Sequence, residues 1–497
     1  MIKEKTKEVL KKIKSFIVSN KAYILKGLYI IFTLLVLLGF VGFFTKQETL
    51  IIFSMLTIFL WSILYCFKNI KNRIVLLVFL GCFFTFIMSQ YVTINTGIPL
   101  HRDTFPLDNR IHTTFCVFLS VISIVISTFV LEFFQNKRKH IRKKQEKYFL
   151  NNDRSNIKLV SKGSFYITSL FVFITLIERI LYSNQYGYLG YIADFKTTLP
   201  FIITYISGCF YVVFFLFISA IPSKKEMLLP NIIYLIYVSL TLLTGSRSTF
   251  VLGIINLILA LVAREYKVEK CERIITKKKI IIVCVSLPLM LYGLNIYNTT
   301  RNSVDTNNKN FLQNINDFFA NQGSSLSVVC LEKQYHEELK TKRYPYVFYS
   351  IVKEVESVFN REIYEPIKSV DEIEEKIYKQ NSLGQKISYY YHKDKIIDGY
   401  GLGSNYIAEA YVDFGYIGVV LINILFGACI FLFNKFLYKN WILSTATLIT
   451  TLSFMYLPRD PAFNWLNSIT SFNLWGILGI TYVITKKRSI NSKGDGL

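Results

Sequence analysis

Long, uninterrupted apolar blocks constrain this chain more than any other feature of its sequence. Gly27–Phe44, Ile74–Val92 and Ile280–Tyr297 approach or reach the roughly 20 residues that a helix needs to cross a hydrocarbon core ~30 Å thick. Within hydrocarbon, backbone N–H and C=O groups must be paired inside a helix or around a closed barrel. Barrel strands alternate apolar and polar side chains, and these blocks do not. The sequence therefore predicts an all-α, polytopic membrane protein.

Blocks of this kind recur along the whole chain, which predicts about twelve transmembrane helices. We place them near 22–44, 48–67, 74–92, 111–134, 163–182, 199–221, 228–244, 248–263, 280–297, 415–433, 441–457 and 466–484. Because 52% of the 497 residues are hydrophobic, a soluble fold of this size would expose large apolar patches. A soluble protein is therefore excluded.

A formal net charge of +24 at pH 7 would suit a nucleic-acid-binding protein, so the positions of the charges decide its meaning. If the N-terminus is cytoplasmic, every cytoplasmic connection carries Lys or Arg, and 137–147 is mostly basic. The short loops on the opposite face carry only scattered cations. This is the positive-inside pattern. It predicts that both termini are cytoplasmic and that the charge contacts anionic membrane lipid, with no nucleic-acid partner.

The spans divide the chain into five parts. A basic cytoplasmic segment comprises 1–26, nine spans occupy 27–297, a large extracytoplasmic loop covers 298–405, three closing spans fill 406–485, and a cytoplasmic tail follows at 486–497. Within the loop, Tyr346–Phe359 and Ser369–Gln380 have apolar residues three and four apart, which predicts short helices. Loops of this length are typically functional or disordered, and the helical periodicity favours a functional loop.

Cysteine and histidine usage predicts neither disulfides nor a metal centre. The eight cysteines are scattered, mostly inside spans, and the large loop carries Cys330 alone. The chain has five histidines, with no CxxC pair and no histidine cluster, so a zinc site is not expected. We therefore predict neither a disulfide framework nor a zinc site.

Two arginines flank spans on the predicted extracytoplasmic side. Arg247 lies in the turn Thr244–Ser248, where Gly245 allows a tight backbone and the Ser246 hydroxyl can face the guanidinium. Arg301 follows the ninth span directly, at the depth expected for Arg247. A fixed guanidinium beside backbone N–H groups suits a phosphate or diphosphate. Each residue taken singly also fits an ordinary interfacial anchor that reaches lipid phosphate.

The run Gly401–Gly418 contains two carboxylates at helical spacing. Gly403 and Ser404 precede a predicted helix in which Glu409 and Asp413 fall on one face at i, i+4. Two like charges at this spacing repel, which favours a raised pKa on one of them, as a general base requires. The alternative is a solvated carboxylate face at the membrane edge, and it suits Asp413 better than Glu409.

Other polar residues are weaker candidates. Arg459 lies in a short outer turn, where pairing with Asp460 is the simpler explanation. Glu178 lies inside the fifth span next to Arg179, which fits a structural pair as well as a functional one. His336 in the large loop could act as a base, although a lone histidine in a loop is usually solvated.

These patterns together resemble the Wzy-type O-antigen and capsular polysaccharide polymerases, also called oligosaccharide repeat-unit polymerases. The resemblance covers most of the chain and rests on the dozen or so spans, the large outer loop before the closing helices, and three local patterns. The local patterns are Gly245–Ser248, the Asn-rich stretch that ends in Arg301, and the run 401–418. The last of these is the most specific.

The resemblance implies a GT-C-like glycosyltransferase in the bacterial cytoplasmic (inner) membrane. Such an enzyme joins oligosaccharide repeats carried on undecaprenyl diphosphate into O-antigen or capsule on the extracytoplasmic face, with no metal or nucleotide cofactor. Arg247 and Arg301 would bind the diphosphate, and Glu409 would take the proton from the attacking hydroxyl, with Asp413 and His336 in reserve. Substrate contacts are expected from a wider set, namely Ser246, Gly403, Ser404, Tyr406, Asp413, Arg459 and His336.

The same architecture leaves two other functions open. An O-antigen-ligase-like enzyme would transfer the glycan to a different acceptor, and these motifs do not identify the acceptor. A flippase for lipid-linked oligosaccharide would place charges along a central path, whereas here they gather at one face. For the polymerase, the expected protein partners are a chain-length regulator and the flippase of the same pathway.

Overall fold

The computed structural model describes residues 21–94, 101–139, 151–276, 310–365, 372–393 and 401–494, together with 279, 286, 288–296, 367 and 396. These residues form helices and turns and contain no strand. The all-α fold class predicted from the sequence is confirmed. The helices are numbered below in chain order.

Three groups of helices follow one another along the chain. The first group is α1 (Lys21–Phe44), α2 (Glu48–Phe67), α3 (Ile70–Phe86), α4 (Leu107–Lys139), α5 (Asn151–Asp194), α6 (Phe201–Gly208), α7 (Phe210–Ser219), α8 (Lys224–Leu240) and α9 (Arg247–Glu265). The second is α10 (Phe311–Gln322), α11 (Leu326–Gln334), α12 (His336–Leu339), α13 (Tyr349–Phe359), α14 (Ile373–Gln380) and α15 (Leu383–His392). The third is α16 (Tyr406–Phe436), α17 (Trp441–Phe454), α18 (Leu466–Thr470) and α19 (Phe472–Gly494).

Nine helical stretches in the described part of the chain are long and apolar enough to cross a membrane. They are Glu48–Phe67, Leu107–Gln135, Arg154–Tyr188, Phe201–Ser219, Lys224–Thr244, Arg247–Glu265, Tyr406–Phe436, Trp441–Arg459 and Leu466–Lys486. Each overlaps one of the predicted spans. The chain is therefore a multi-pass membrane protein.

The remaining three predicted spans have different outcomes. The span at 22–44 corresponds to α1, whose apolar part is Ile30–Phe44. The span at 74–92 is shorter than predicted, because α3 ends at Phe86 and a 3₁₀ turn, Met88–Tyr91, follows it. Most of the span predicted at 280–297 lies outside the described residues.

Local sequence determines where several helices begin. At the start of α8, the Ser223 hydroxyl accepts from the Glu226 backbone N–H, and the Glu226 carboxylate accepts from the Ser223 N–H. Asn310 and Gln313 form the same reciprocal pair at the start of α10. The Asn440 side chain caps α17. These short polar signals separate apolar runs that would otherwise be continuous.

A seam of polar and small side chains joins α4 to α16. The Asn423 amide donates to the Ser120 hydroxyl at 3.0 Å, and the Ser127 hydroxyl donates to a backbone carbonyl of α16 at 2.8 Å. A Cβ atom on Gly427 would lie 2.7 Å from the Ile124 carbonyl oxygen, so the two backbones touch. Small residues and interhelical hydrogen bonds are the usual means of helix association inside a bilayer.

The described residues of the long segment, which covers 298–405, pack against the 3₁₀ turn that follows α3. The Ser89 hydroxyl donates to the Phe319 carbonyl at 2.8 Å, and the Gln90 amide donates to the Ala320 carbonyl. Both donors belong to the 3₁₀ turn after α3, which explains why that helix ends early. The predicted helices at 346–359 and 369–380 are present as α13, with the 3₁₀ turn before it, and as α14.

Candidate active site

The turn that carries Arg247 is held by a close aromatic contact. Gly245 has the left-handed φ of 83°, and a Cβ atom on it would lie 2.3 Å from Cδ2 of Tyr188. Only glycine therefore fits this position. The Ser246 hydroxyl lies 2.6 Å from that of Thr249, and Arg247 is the first residue of α9. The tight turn predicted from the sequence is thus present.

A second arginine, Arg459 of the closing helices, acts on the same tyrosine as Arg247. The charges of Arg247 and Arg459 both lie within electrostatic range of the Tyr456 hydroxyl. Arg459 Nη1 donates to Gln322 Oε1 of the long segment at 3.4 Å. Two guanidinium groups more than 200 residues apart in the sequence therefore act on the same phenol. Such a cluster can bind an anion with two phosphate groups.

The predicted pairing of Arg459 with Asp460 is absent from the ion pairs of the described residues. Asp460 Oδ2 instead accepts from the Asn464 amide at 2.6 Å. Desolvation raises the pKa of Asp460 from its ordinary 3.8 to about 6, against the opposite effects of the Asn464 hydrogen bond and the Lys353 charge. Asp460 is therefore a partly buried carboxylate with a raised pKa in the turn that follows Arg459, a feature that the sequence did not suggest.

Glu409 lies fully buried at the start of α16. Its Oε1 accepts from the Ser404 hydroxyl at 2.6 Å, and its Oε2 accepts from the Ala462 backbone N–H at 2.8 Å. Asp413 and Asp460 both lie within electrostatic range of it. Glu409 therefore connects the start of α16 to the turn that carries Arg459. A proton can reach its carboxylate through the Ser404 hydroxyl.

Asn405 fixes the geometry around Glu409. Its Oδ1 accepts from the Ile407 N–H at 2.8 Å and so caps α16. Its amide donates to the Pro458 carbonyl at 3.1 Å and to the Ser325 carbonyl at 3.4 Å. One side chain thus joins the long segment, α16 and the turn after α17. The backbone of the neighbouring Gly403 packs closely against Gly384.

The other residues predicted for substrate binding in this run lie in the protein interior. Tyr406 is fully buried, and its hydroxyl donates to Asn423 Oδ1 at 2.7 Å. The Asp413 side chain has no exposed surface, and it pairs with Lys342 and accepts from the Val347 N–H at 2.8 Å. Asp413 is therefore not on a solvated face. It fastens the long segment to α16.

His336 belongs to a buried cluster that the sequence analysis missed. The Glu332 carboxylate is fully buried between two imidazoles, 3.0 Å from His336 Nδ1 and 3.2 Å from His112 Nε2. His112 Nδ1 in turn lies 2.9 Å from the Tyr416 hydroxyl, and the Tyr411 ring contacts both imidazoles. Only the i, i+4 spacing of Glu332 and His336 was visible in the sequence, because His112 is 220 residues away from Glu332.

Two further predicted candidates lie elsewhere. The Glu178 carboxylate accepts from the Thr197 hydroxyl at 2.7 Å and from the Thr198 N–H at 2.6 Å, so it supports the turn before α6. Its relation to Arg179 is electrostatic. Arg301 lies outside the described residues. Among the described residues, no group of three or more His, Cys, Asp or Glu side chains is arranged to hold a metal ion.

Comparison with known proteins identifies the family. The family model of the O-antigen polysaccharide polymerase Wzy matches residues 28–491, nearly the whole chain. No curated protein and no solved structure matches the chain. The match covers the spans, the long segment and every described candidate residue. The chain therefore belongs to the O-antigen polysaccharide polymerase Wzy family.

Proposed function

We propose that this polymerase joins oligosaccharide repeats carried on undecaprenyl diphosphate into O-antigen or capsular polysaccharide. The reaction would take place on the extracytoplasmic face of the bacterial cytoplasmic membrane, with both termini in the cytoplasm. The observation that carries the proposal is that Arg247 and Arg459 both act electrostatically on Tyr456, while Glu409 is hydrogen-bonded to the turn that follows Arg459. Membership of the family supports O-antigen polymerisation, and the distribution of basic residues along the sequence supports the orientation in the membrane.

The two arginines are suited to bind the diphosphate leaving group of this reaction. When the bond from the anomeric carbon breaks, negative charge develops on the diphosphate oxygens, and fixed guanidinium groups stabilise that charge. Arg247 and Arg459 are held on different elements, so together they can contact both phosphates. We propose that Arg301 contributes a third cation, as its position after the ninth span suggests. Ser246 would add a hydroxyl donor beside Arg247.

Glu409 is suited to act as the base that takes the proton from the acceptor hydroxyl. Because the carboxylate has no exposed surface, we propose that the proton passes through Ser404. The acceptor oxygen bonds to the anomeric carbon and gives its proton to the Ser404 oxygen, while the Ser404 proton moves to Glu409 Oε1. The 2.6 Å contact between Ser404 and Glu409 supports such a relay. The C–O bond to diphosphate breaks with its electron pair on the leaving oxygen.

The experiment that tests this function uses purified protein in liposomes and a polyprenyl-diphosphate-linked oligosaccharide repeat. We expect a ladder of products on a gel and release of one polyprenyl diphosphate for each linkage formed. Supplying the substrate only inside or only outside oriented vesicles locates the active face. Transfer to a non-repeat acceptor alone would make the protein a ligase, and unchanged substrate that crosses the bilayer would make it a transporter. Either result would overturn the proposal.

A further inference from the structure

The helix α13 of the long segment is amphipathic, and its apolar side is exposed. Its apolar face consists of Ile351, Val355, Val358 and Phe359, which are 40%, 60%, 75% and 79% exposed. These positions are spaced four, three and one apart, so they form one stripe along the helix. An exposed stripe of this kind is unfavourable in water and indicates a partner surface.

The opposite, polar side of α13 is the one that contacts the protein. Glu356 pairs with Arg343 at 2.9 Å and accepts from the Tyr364 hydroxyl at 2.6 Å. Ser350 is buried, and Lys353 lies within electrostatic range of Asp460. The helix is therefore oriented with its polar side inward. This is the reverse of an amphipathic helix on a soluble protein.

A second amphipathic helix of the same segment shows the ordinary arrangement. In α14, Ile373 and Ile377 are 1% and 4% exposed and pack against Ile367, Tyr389 and Ile396. The long segment therefore buries the apolar stripe of α14. The orientation of α13 is specific to that helix.

The position of α13 identifies the surface that its apolar face meets. Glu354 Oε1 accepts from the Asn467 amide at 2.8 Å, and Asn467 lies in the first turn of the candidate span Leu466–Lys486. Phe472 and Trp475, farther along that span, are exposed large apolar side chains. Tryptophan is enriched at the membrane interface, so Trp475 suits that depth. The apolar face of α13 therefore lies beside a lipid-facing surface.

We propose that α13 lies in the plane of the membrane interface, with its apolar face against the acyl chains of the adjoining leaflet. A helix with apolar residues on one face and charges on the other binds a bilayer in this way. The contact would also position the candidate active site, because Phe348 next to α13 stacks on Phe463, 6.1 Å between ring centroids. Phe463 belongs to the turn that follows Arg459. The proposal concerns lipid contact and does not depend on the proposed chemistry.

Site-directed fluorescence tests this lipid contact in the absence of substrate. A single cysteine at Val355 is labelled with an environment-sensitive fluorophore, and the protein is reconstituted in phosphatidylcholine and phosphatidylglycerol vesicles. The matched control is a cysteine at Glu375, an exposed position on α14. The parent chain labelled in the same way gives the background from native cysteines. Quenching is then measured with doxyl-labelled lipid and with aqueous iodide.

We expect the label at Val355 to be quenched several-fold more by doxyl lipid than the label at Glu375, and several-fold less by iodide. Adding Val358→Asp should reduce the lipid quenching at Val355, while gel filtration shows a folded protein. Equal iodide quenching at the two positions would overturn the proposal. Protection of Val355 from both quenchers would also overturn it, because a protein partner or a second copy would then cover the face.

Discussion

Two glutamates, one in α16 and one in α11, are fully buried, and their surroundings differ. Glu409 accepts from a hydroxyl and a backbone N–H, beside the turn that carries Arg459. Glu332 lies between His112 and His336, beneath the Tyr411 ring. Because both glutamates are fully buried, burial alone does not identify a reactive carboxylate.

The difference lies in what each carboxylate connects. Glu409 joins α16 to the turn that follows Arg459. One site can therefore accept the proton and bind the leaving anion. Glu332 joins α11 of the long segment to α4 through two imidazoles, those of His336 and His112. We infer that Glu409 belongs to the chemistry and that Glu332 holds the long segment on the bundle. The following predictions test this contrast.

The largest effect is expected from Glu409→Gln. The amide keeps the shape of the side chain but cannot take a proton, so polymer formation should fall by about 10²–10⁴-fold. The measurement is the rate of ladder formation per folded protein in the reconstituted assay. The matched control is Glu332→Gln, which should retain more than half of the parent rate when assayed below its own unfolding temperature. Loss of activity in the control alone would assign the base to His336 instead.

Arg247→Ala and Arg459→Ala should each lower kcat/KM for the lipid-linked donor by roughly 10–10³-fold. Each removes one charged donor from the developing diphosphate, while the membrane helices remain. Arg73→Ala is the control, because that guanidinium pairs with Glu132 near the start of α3, and the long segment contacts the turn after the other end of α3. If both cluster variants matched the control, the diphosphate would have to bind elsewhere.

Glu332→Gln should affect stability more than rate. Loss of the charge between two imidazoles leaves a buried group incompletely paired, which costs about 1–3 kcal/mol. We expect a lower unfolding temperature in detergent, measured by the exposure of buried cysteines to a thiol-reactive dye. Asp413→Asn should behave in a similar way, since Asp413 pairs with Lys342. An unchanged unfolding temperature in both variants would mean that these contacts do not hold the long segment.

The smallest effect is a pH-dependent one from Asp460→Asn. The pKa of Asp460 is about 6 in the folded protein and 3.8 ordinarily. Its contribution to stability is therefore fully present below pH 3.8, where the carboxyl is protonated in both states, and it is lost as the pH rises through 6. Asparagine removes the cost of burying the charge. The variant should therefore unfold about 1–3 °C higher than the parent at pH 8, with no difference at pH 4. A constant difference at both pH values would contradict this account.

The apolar blocks alone predicted the fold class, because crossing hydrocarbon leaves the backbone few alternatives. The i, i+4 relation of Glu409 and Asp413 and the tight turn at Gly245 also followed from short-range spacing. The partner of Arg459 did not, because Gln322 is 137 residues away and only the packed fold brings them together. The same holds for His112, which reads as an isolated polar residue at the start of an apolar helix.

The seam between α4 and α16 has a consequence for how the protein is made. Ser120 and Ser127 of α4 bond to residues that follow them by 303 and 297 positions. At a synthesis rate of ~5–20 residues per second, α4 must wait roughly 15–60 s in the membrane before α16 leaves the ribosome. During that interval Ser120 can donate only within its own helix, to the Cys116 carbonyl. The seam between α4 and α16 is therefore among the last helix contacts to form during synthesis.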